Sequence, residues 1–113
     1  EAAWRQRFDS YRAAYPALAA EFERRLRGDL LPAFDQRLPE VFASLSARAD
    51  AVATRKASQN ALDALSPLVP EFFGGSADLT ASNLTNFKGC TPAGRDRWGN
   101  HLSCGVREFG MAA

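Results

Sequence analysis

The large apolar residues at the start of the chain fall at Trp4, Phe8, Tyr11, Tyr15, Leu18, Phe22 and Leu26, steps of three and four that line one helical face. Pro16 interrupts the run. Its ring removes a backbone donor and disfavours helical geometry at Tyr15, so the pattern predicts two helices with Pro16 opening the second. Gly28, following Arg24, Arg25 and Arg27, is the expected stop, with cations at the negative end of the helix dipole. Such an aromatic stripe reads as core or as a partner-facing surface, not as a cofactor box. From Asp29 to Asp50 the periodicity loosens around Pro32 and Pro39, which predicts a linker with one helical turn near Val41 to Leu45.

A second helical pattern begins after it. Thr54 is expected to cap a helix from Arg55 to about Leu65, with Ala57, Ala61, Leu62 and Leu65 on its buried side. Pro67 and Pro70 end it, and Glu71-Phe72-Phe73 reads as a short strand running into a turn at Gly74-Gly75. The polar loop carrying Ser76, Asp78, Thr80, Ser82, Asn83 and Thr85 then leaves the strand's C-terminal end, the edge where open parallel sheets bind ligands. Residues 87–100 predict an exposed loop, and His101 to Cys104 a brief extended segment. The last stretch, Gly105-Val106-Arg107-Glu108-Phe109-Gly110-Met111, places one carboxylate among apolar side chains at the expected start of a helix.

With 113 residues the chain suffices for one small domain, which would bury about two-thirds of its unfolded surface if it closed on itself. It opens on Glu1 and runs out at Met111-Ala112-Ala113 without a helix cap, and so reads as a piece of a longer protein. The net charge of +1 comes from acids and bases that alternate, which argues against a nucleic-acid partner. Neither a membrane span nor a signal pattern is visible, so a cytoplasmic location is the expectation. Cys90 and Cys104 read as free thiols or as a pair, and the single histidine, His101, gives no metal-site spacing.

Four positions carry candidate chemistry. Glu108 is either a capping charge, stabilised as the anion by the helix N-terminus, or a proton handler whose pKa is raised by burial against Val106, Phe109 and Met111. Arg55, in a first helical turn where the dipole prefers anions, is either a surface arginine or a phosphate ligand. Asp78 and Ser82 either cap local turns or face a ligand at the strand edge.

Four motifs in order, Ala53-Thr54-Arg55-Lys56-Ala57-Ser58, Gly74-Gly75-Ser76-Ala77-Asp78-Leu79, Ser82-Asn83-Leu84-Thr85 and the Gly105 to Met111 string, resemble the start of the pyrimidine-binding domain of bacterial-type transketolases. The resemblance is strong over the second half of the chain and loose over the first. It implies an α/β fold: N-terminal helices and an interdomain linker over residues 1–50, then over 51–113 the incomplete N-terminal part of a three-layer α/β/α domain with a mainly parallel sheet. It also implies an enzyme that moves a two-carbon ketol unit from a ketose phosphate to an aldose phosphate, using thiamine diphosphate and Mg2+ or another divalent cation. Such enzymes are homodimers with the cofactor at the subunit interface.

By the same resemblance, Glu108 matches the acid that hydrogen-bonds the aminopyrimidine and keeps a proton on its ring nitrogen, so that the exocyclic nitrogen can act as a base toward the thiazolium carbon. Arg55 and Ser82 match sugar-phosphate ligands, while Asp78 matches an acid near the cofactor and Leu79 an apolar contact to it. The family's cation-binding motif and channel histidines have no counterpart in these residues, so metal ligands are expected elsewhere and this stretch alone is expected to be inactive. Two other readings stand beside this one: a dihydroxyacetone synthase-type relative, which shares the motifs, and a noncatalytic structural or interaction module.

Overall fold

Helix α1 (Ala2–Ala14) and helix α2 (Pro16–Arg27) form where the apolar spacing predicts them, with Pro16 in the first turn of α2 and Tyr15 as the non-helical joint. The stripe does not stay on a single face. It folds onto itself, with Phe8 stacked on Trp4 at 5.2 Å and reaching across to Phe22 at 5.4 Å. Arg12 lies over the Phe8 ring and ties the two helices by bonding both Asp9 and Glu23. Gly28 ends α2 in the left-handed conformation, its N–H and that of Asp29 closing back on the carbonyls of Arg25 and Arg24, a Schellman pattern that glycine adopts without Cβ strain.

All residues, 1–113, are described by this computed structural model, and they divide into two units, Glu1–Leu31 and Pro32–Ala113. The second unit begins with a correction. Where a linker with one helical turn was expected, α3 (Phe34–Ser46) runs through Pro39, leaving only residues 47–53 irregular before the next helix. A proline inside a helix costs one backbone hydrogen bond and about 3 kcal/mol, a penalty that propensity alone would not overcome. Helix α3 nevertheless forms and lies against α4 (Thr54–Leu65). The end of α4 falls at Leu65 as predicted, but its cap is Ala53, whose carbonyl accepts from the N–H groups of Lys56 and Ala57, and Thr54 is already helical.

The strand prediction is displaced by three residues. After a single 3-10 turn at Ser66–Leu68, Pro70-Glu71 form a turn, Phe72-Phe73 are irregular, and the glycines expected to turn are themselves in β1 (Gly74–Ser76). The reason is steric: a Cβ on Gly75 would stand 2.9 Å from the Leu102 carbonyl oxygen, so only glycine permits the neighbouring strand to come this close. That neighbour is β2 (His101–Ser103), parallel to β1 with Gly74 opposite His101 and Ser76 opposite Ser103. Helices α5 (Thr80–Asn83) and α6 (Glu108–Ala112) each follow the carboxyl end of a strand.

Packing in this unit centres on Phe87 and His101, 5% and 2% exposed, with Leu68 beside them in the buried set. Phe87 meets Phe72 edge-on at 5.2 Å and the His101 ring at 6.3 Å. The segment expected to be wholly exposed therefore contributes the largest core residue, while its tip behaves as expected, with Trp98 open to solvent.

Candidate functional site

Parallel pairing of β1 and β2 puts their carboxyl ends at one edge, and two backbone bonds extend that alignment beyond the strands. The Cys104 N–H donates to the Ser76 carbonyl at 3.3 Å and the Arg107 N–H to the Ala77 carbonyl at 2.7 Å. Asp78 and Glu108, each the next residue along from a bonded one, are thereby brought to the same edge although thirty positions separate them in the chain. The Thr80 hydroxyl donates to Ser103 Oγ at 3.4 Å, adding a side-chain link between the start of α5 and the end of β2.

Asp78 is fully engaged in its own loop. Its carboxylate accepts from the Leu79 N–H at 2.6 Å and from the Asn83 amide at 3.0 Å, while its own N–H donates to Ser76 Oγ. These two donors, the Leu79 N–H first, hold the carboxyl below the ordinary aspartate range by stabilising the anion. The turn thus fixes Leu79, an exposed apolar side chain, at the rim. The hydrogen bonds of Asp78 all stay within its own turn and the helix that follows.

Arg55 and Ser82, 27 residues apart, are brought together: Arg55 Nη1 donates to the Ser82 carbonyl at 3.3 Å, and both side chains are exposed. Below this contact on α4, Gln59 donates to the carbonyl and to Oδ1 of Asn86, both at 3.1 Å, and Asp63 accepts from the Lys88 N–H at 2.6 Å. Neither Gln59 nor Asp63 stands out by residue type. The signal that could have found them is spacing, since 55, 59 and 63 share one helical face.

Glu108 opens α6 at the sheet edge and is exposed. The walls expected to enclose it are open as well: Val106 is 60%, Phe109 89% and Met111 63% exposed. The expectation of a carboxylate buried among apolar neighbours is corrected here, because α6 is one short turn with nothing of this chain packed over it. Gly105 turns the backbone with φ +65°, as its position suggested, whereas Gly110 lies within α6 and turns nothing. Cys90 and Cys104 are free thiols, and His101, with a buried Nε2 that has no hydrogen-bond partner, is a core residue behind the edge. No group of three or more His, Cys, Asp or Glu side chains converges in a way that could hold a metal ion. No helix is long and apolar enough to cross a membrane.

Comparison with known proteins adds to this geometry. Residues 50–113 match the family described as transketolase, pyrimidine binding domain. The full chain is 57% identical to a transketolase 2 of Xanthobacter flavus and 50% identical to a transketolase 1 of Escherichia coli K12, of which it spans 16% and 17%. The chain thus spans about a sixth of the length of these relatives. Among solved structures, 96% of the chain superposes on 16% of a transketolase from Leishmania mexicana with a TM-score of 0.73 and 38% identity. The same shares superpose on a Pichia stipitis transketolase in complex with sedoheptulose-7-phosphate, with a TM-score of 0.69 and 39% identity. N-terminal helices and a linker leading into the start of an α/β/α domain with a parallel sheet are the architecture expected from the sequence.

Proposed function

Since its residues 50–113 match over more than half the chain, this chain belongs to the transketolase pyrimidine-binding family, and we propose that it supplies the aminopyrimidine end of a thiamine diphosphate site and half of a sugar-phosphate site. The observation that carries this reading is the shared edge: parallel β1 and β2 deliver Asp78, Leu79 and Glu108 to one rim, with Arg55 and Ser82 meeting beside it.

The donor and acceptor set fits a flat heteroaromatic ring. Glu108 offers a carboxylate to a ring nitrogen, and the unpartnered side chains of Leu79, Val106, Phe109 and Met111 offer apolar area to its faces. When bound, the cofactor supplies a nucleophilic carbon that takes up and hands on the two-carbon ketol unit. Glu108 holds a proton at the ring nitrogen, which requires only a carboxyl within hydrogen-bond reach and walls that exclude water. Asp78 positions Leu79 through the 2.6 Å bond from its N–H and is itself held by Asn83. Arg55 gives the substrate phosphate a charge-assisted donor and Ser82 a neutral one. The diphosphate and its divalent cation are assigned to residues outside this chain, and closure over Glu108 to a second subunit of a homodimer.

The test is Glu108→Gln in the full-length enzyme that carries this chain, read by hydrogen exchange at the reactive cofactor carbon. A proton-handling Glu108 predicts exchange slower by roughly 10²- to 10⁴-fold with cofactor still bound. A capping charge predicts unchanged exchange and a stability change of about 0.3–1 kcal/mol.

A further inference from the structure

Helix α4 carries three polar residues at 55, 59 and 63, one turn apart on one face, while Ala57 and Ala61 line the groove toward Leu45 and Val52 on another. All three reach the same segment. Arg55 meets Ser82, Gln59 meets Asn86 and Asp63 meets Lys88, so the rungs keep their order along both strands of the contact. Their lengths are graded: 2.6 Å at Asp63, 3.1 Å at Gln59 and 3.3 Å at Arg55. Between the partners of the two shorter rungs sits Phe87, buried against Phe72 and His101, so that end of the segment is anchored in the core. Lys56 Nζ donates to Gln59 Oε1 at 2.8 Å, which favours the orientation with the Gln59 NH₂ group toward Asn86.

We propose that Gln59 and Asp63 are positioning residues for a substrate phosphate: they lock segment 82–88 in register on α4, so that the Arg55 guanidinium and the Ser82 hydroxyl are presented together at the end of the ladder with the longest rung. This inference rests on reading Arg55 and Ser82 as the phosphate ligands. An incoming phosphate competes only with the Ser82 carbonyl for Arg55, the longest of the three rungs, and finds the pair already assembled. Were the register free to slip, the phosphate would have to order both groups itself, and the loss would appear as weakened binding of phosphorylated substrate only.

The experiment is steady-state kinetics of the full-length holoenzyme with ribose 5-phosphate and with unphosphorylated ribose as acceptors. Gln59→Leu and Asp63→Ala are each expected to lower the ratio of kcat/KM for ribose 5-phosphate over ribose by about three- to tenfold, the worth of one net hydrogen bond, with the loss carried by KM. Asp63→Asn, whose Oδ1 still accepts from the Lys88 N–H, is expected to restore the ratio. Equal losses on both acceptors, or a ratio that does not move, overturn the proposal. Arg55→Ala separates the two levels: if it lowers the ratio while the Gln59 and Asp63 variants do not, the ladder alone is wrong. If Arg55→Ala leaves the ratio unchanged, the phosphate reading falls, and the ladder with it.

Discussion

The two sides of the strand edge differ in how much of them this chain completes. On the Arg55–Ser82 side, the contacts that bring the pair together lie within this chain: one face of α4, a core anchor at Phe87 and three hydrogen-bonded rungs in register. On the Glu108 side, backbone bonds place the residue at the edge, but its apolar neighbours face solvent. Hydrogen bonds form between groups a few ångströms apart and need only local partners. Enclosure of a carboxylate needs bulk on all sides, which one turn of helix cannot give.

The surface area makes the same point. A folded monomer of this mass exposes roughly 6,100 Å² and a chain closed on itself would meet that figure. The observed area is 8610 Å², and the exposed large hydrophobics include Trp4, Leu18 and Leu26 in the first unit and Phe109 and Met111 in the second. These residues hide about half of the unfolded surface on the same scale, short of the two-thirds that closure on itself would bring.

Several measurements would break or sharpen the contrast between the two sides. The largest effect is expected from Glu108→Gln in the full-length enzyme, about two to four orders of magnitude in cofactor hydrogen exchange. Arg55→Ala is expected to raise KM for a phosphorylated acceptor about 10- to 100-fold, the worth of a charge-assisted hydrogen bond, with a much smaller change in kcat. Equal behaviour of these two variants would erase the division of labour. Gly75→Ala should act on both sides at once, because its Cβ would press on the Leu102 carbonyl at 2.9 Å and push β1 from β2. Overpacking of this kind costs about 1–3 kcal/mol, measurable as a lower denaturant midpoint.

The smallest expected effect is a titration. Asp78 is held below the ordinary aspartate range by the Leu79 N–H and then by Asn83, so the folded form binds this proton less readily than the unfolded chain does. The contribution of the turn is thus fully present above about pH 4 and is lost as pH falls through the lowered value. Following the Leu79 amide by NMR should give a midpoint on the acid side of an ordinary aspartate; a midpoint at or above it would show that the turn does not favour the anion. In the first unit, Glu21 offers a parallel, held at about 2 by hydrogen bonds from Arg24 and then Arg25.

Local patterns were legible where they depend on neighbours in sequence. The α1–α2 break at Pro16, the Schellman stop at Gly28, the end of α4 at Leu65 and the extended segment at His101 all follow from spacing, ring chemistry or handedness. The motif order likewise pointed to the family before any coordinates. Other features were not legible. Nothing local distinguishes Gly74-Gly75 as strand from Gly74-Gly75 as turn; what decides is Leu102 passing 2.9 Å from where a Cβ would be. Pro39 argued for a linker, yet the helix runs through it and lies against α4.

By itself the sequence named the candidate residues and marked where α1, α2 and α4 run, since side-chain identity and short-range periodicity are properties of a few consecutive positions. Only the tertiary structure decided that Arg55 meets Ser82 and that Asp78 and Glu108 reach one edge. Those pairs are joined by a helix face and a parallel register, and a register between distant segments is fixed by packing and backbone bonding that no local pattern encodes.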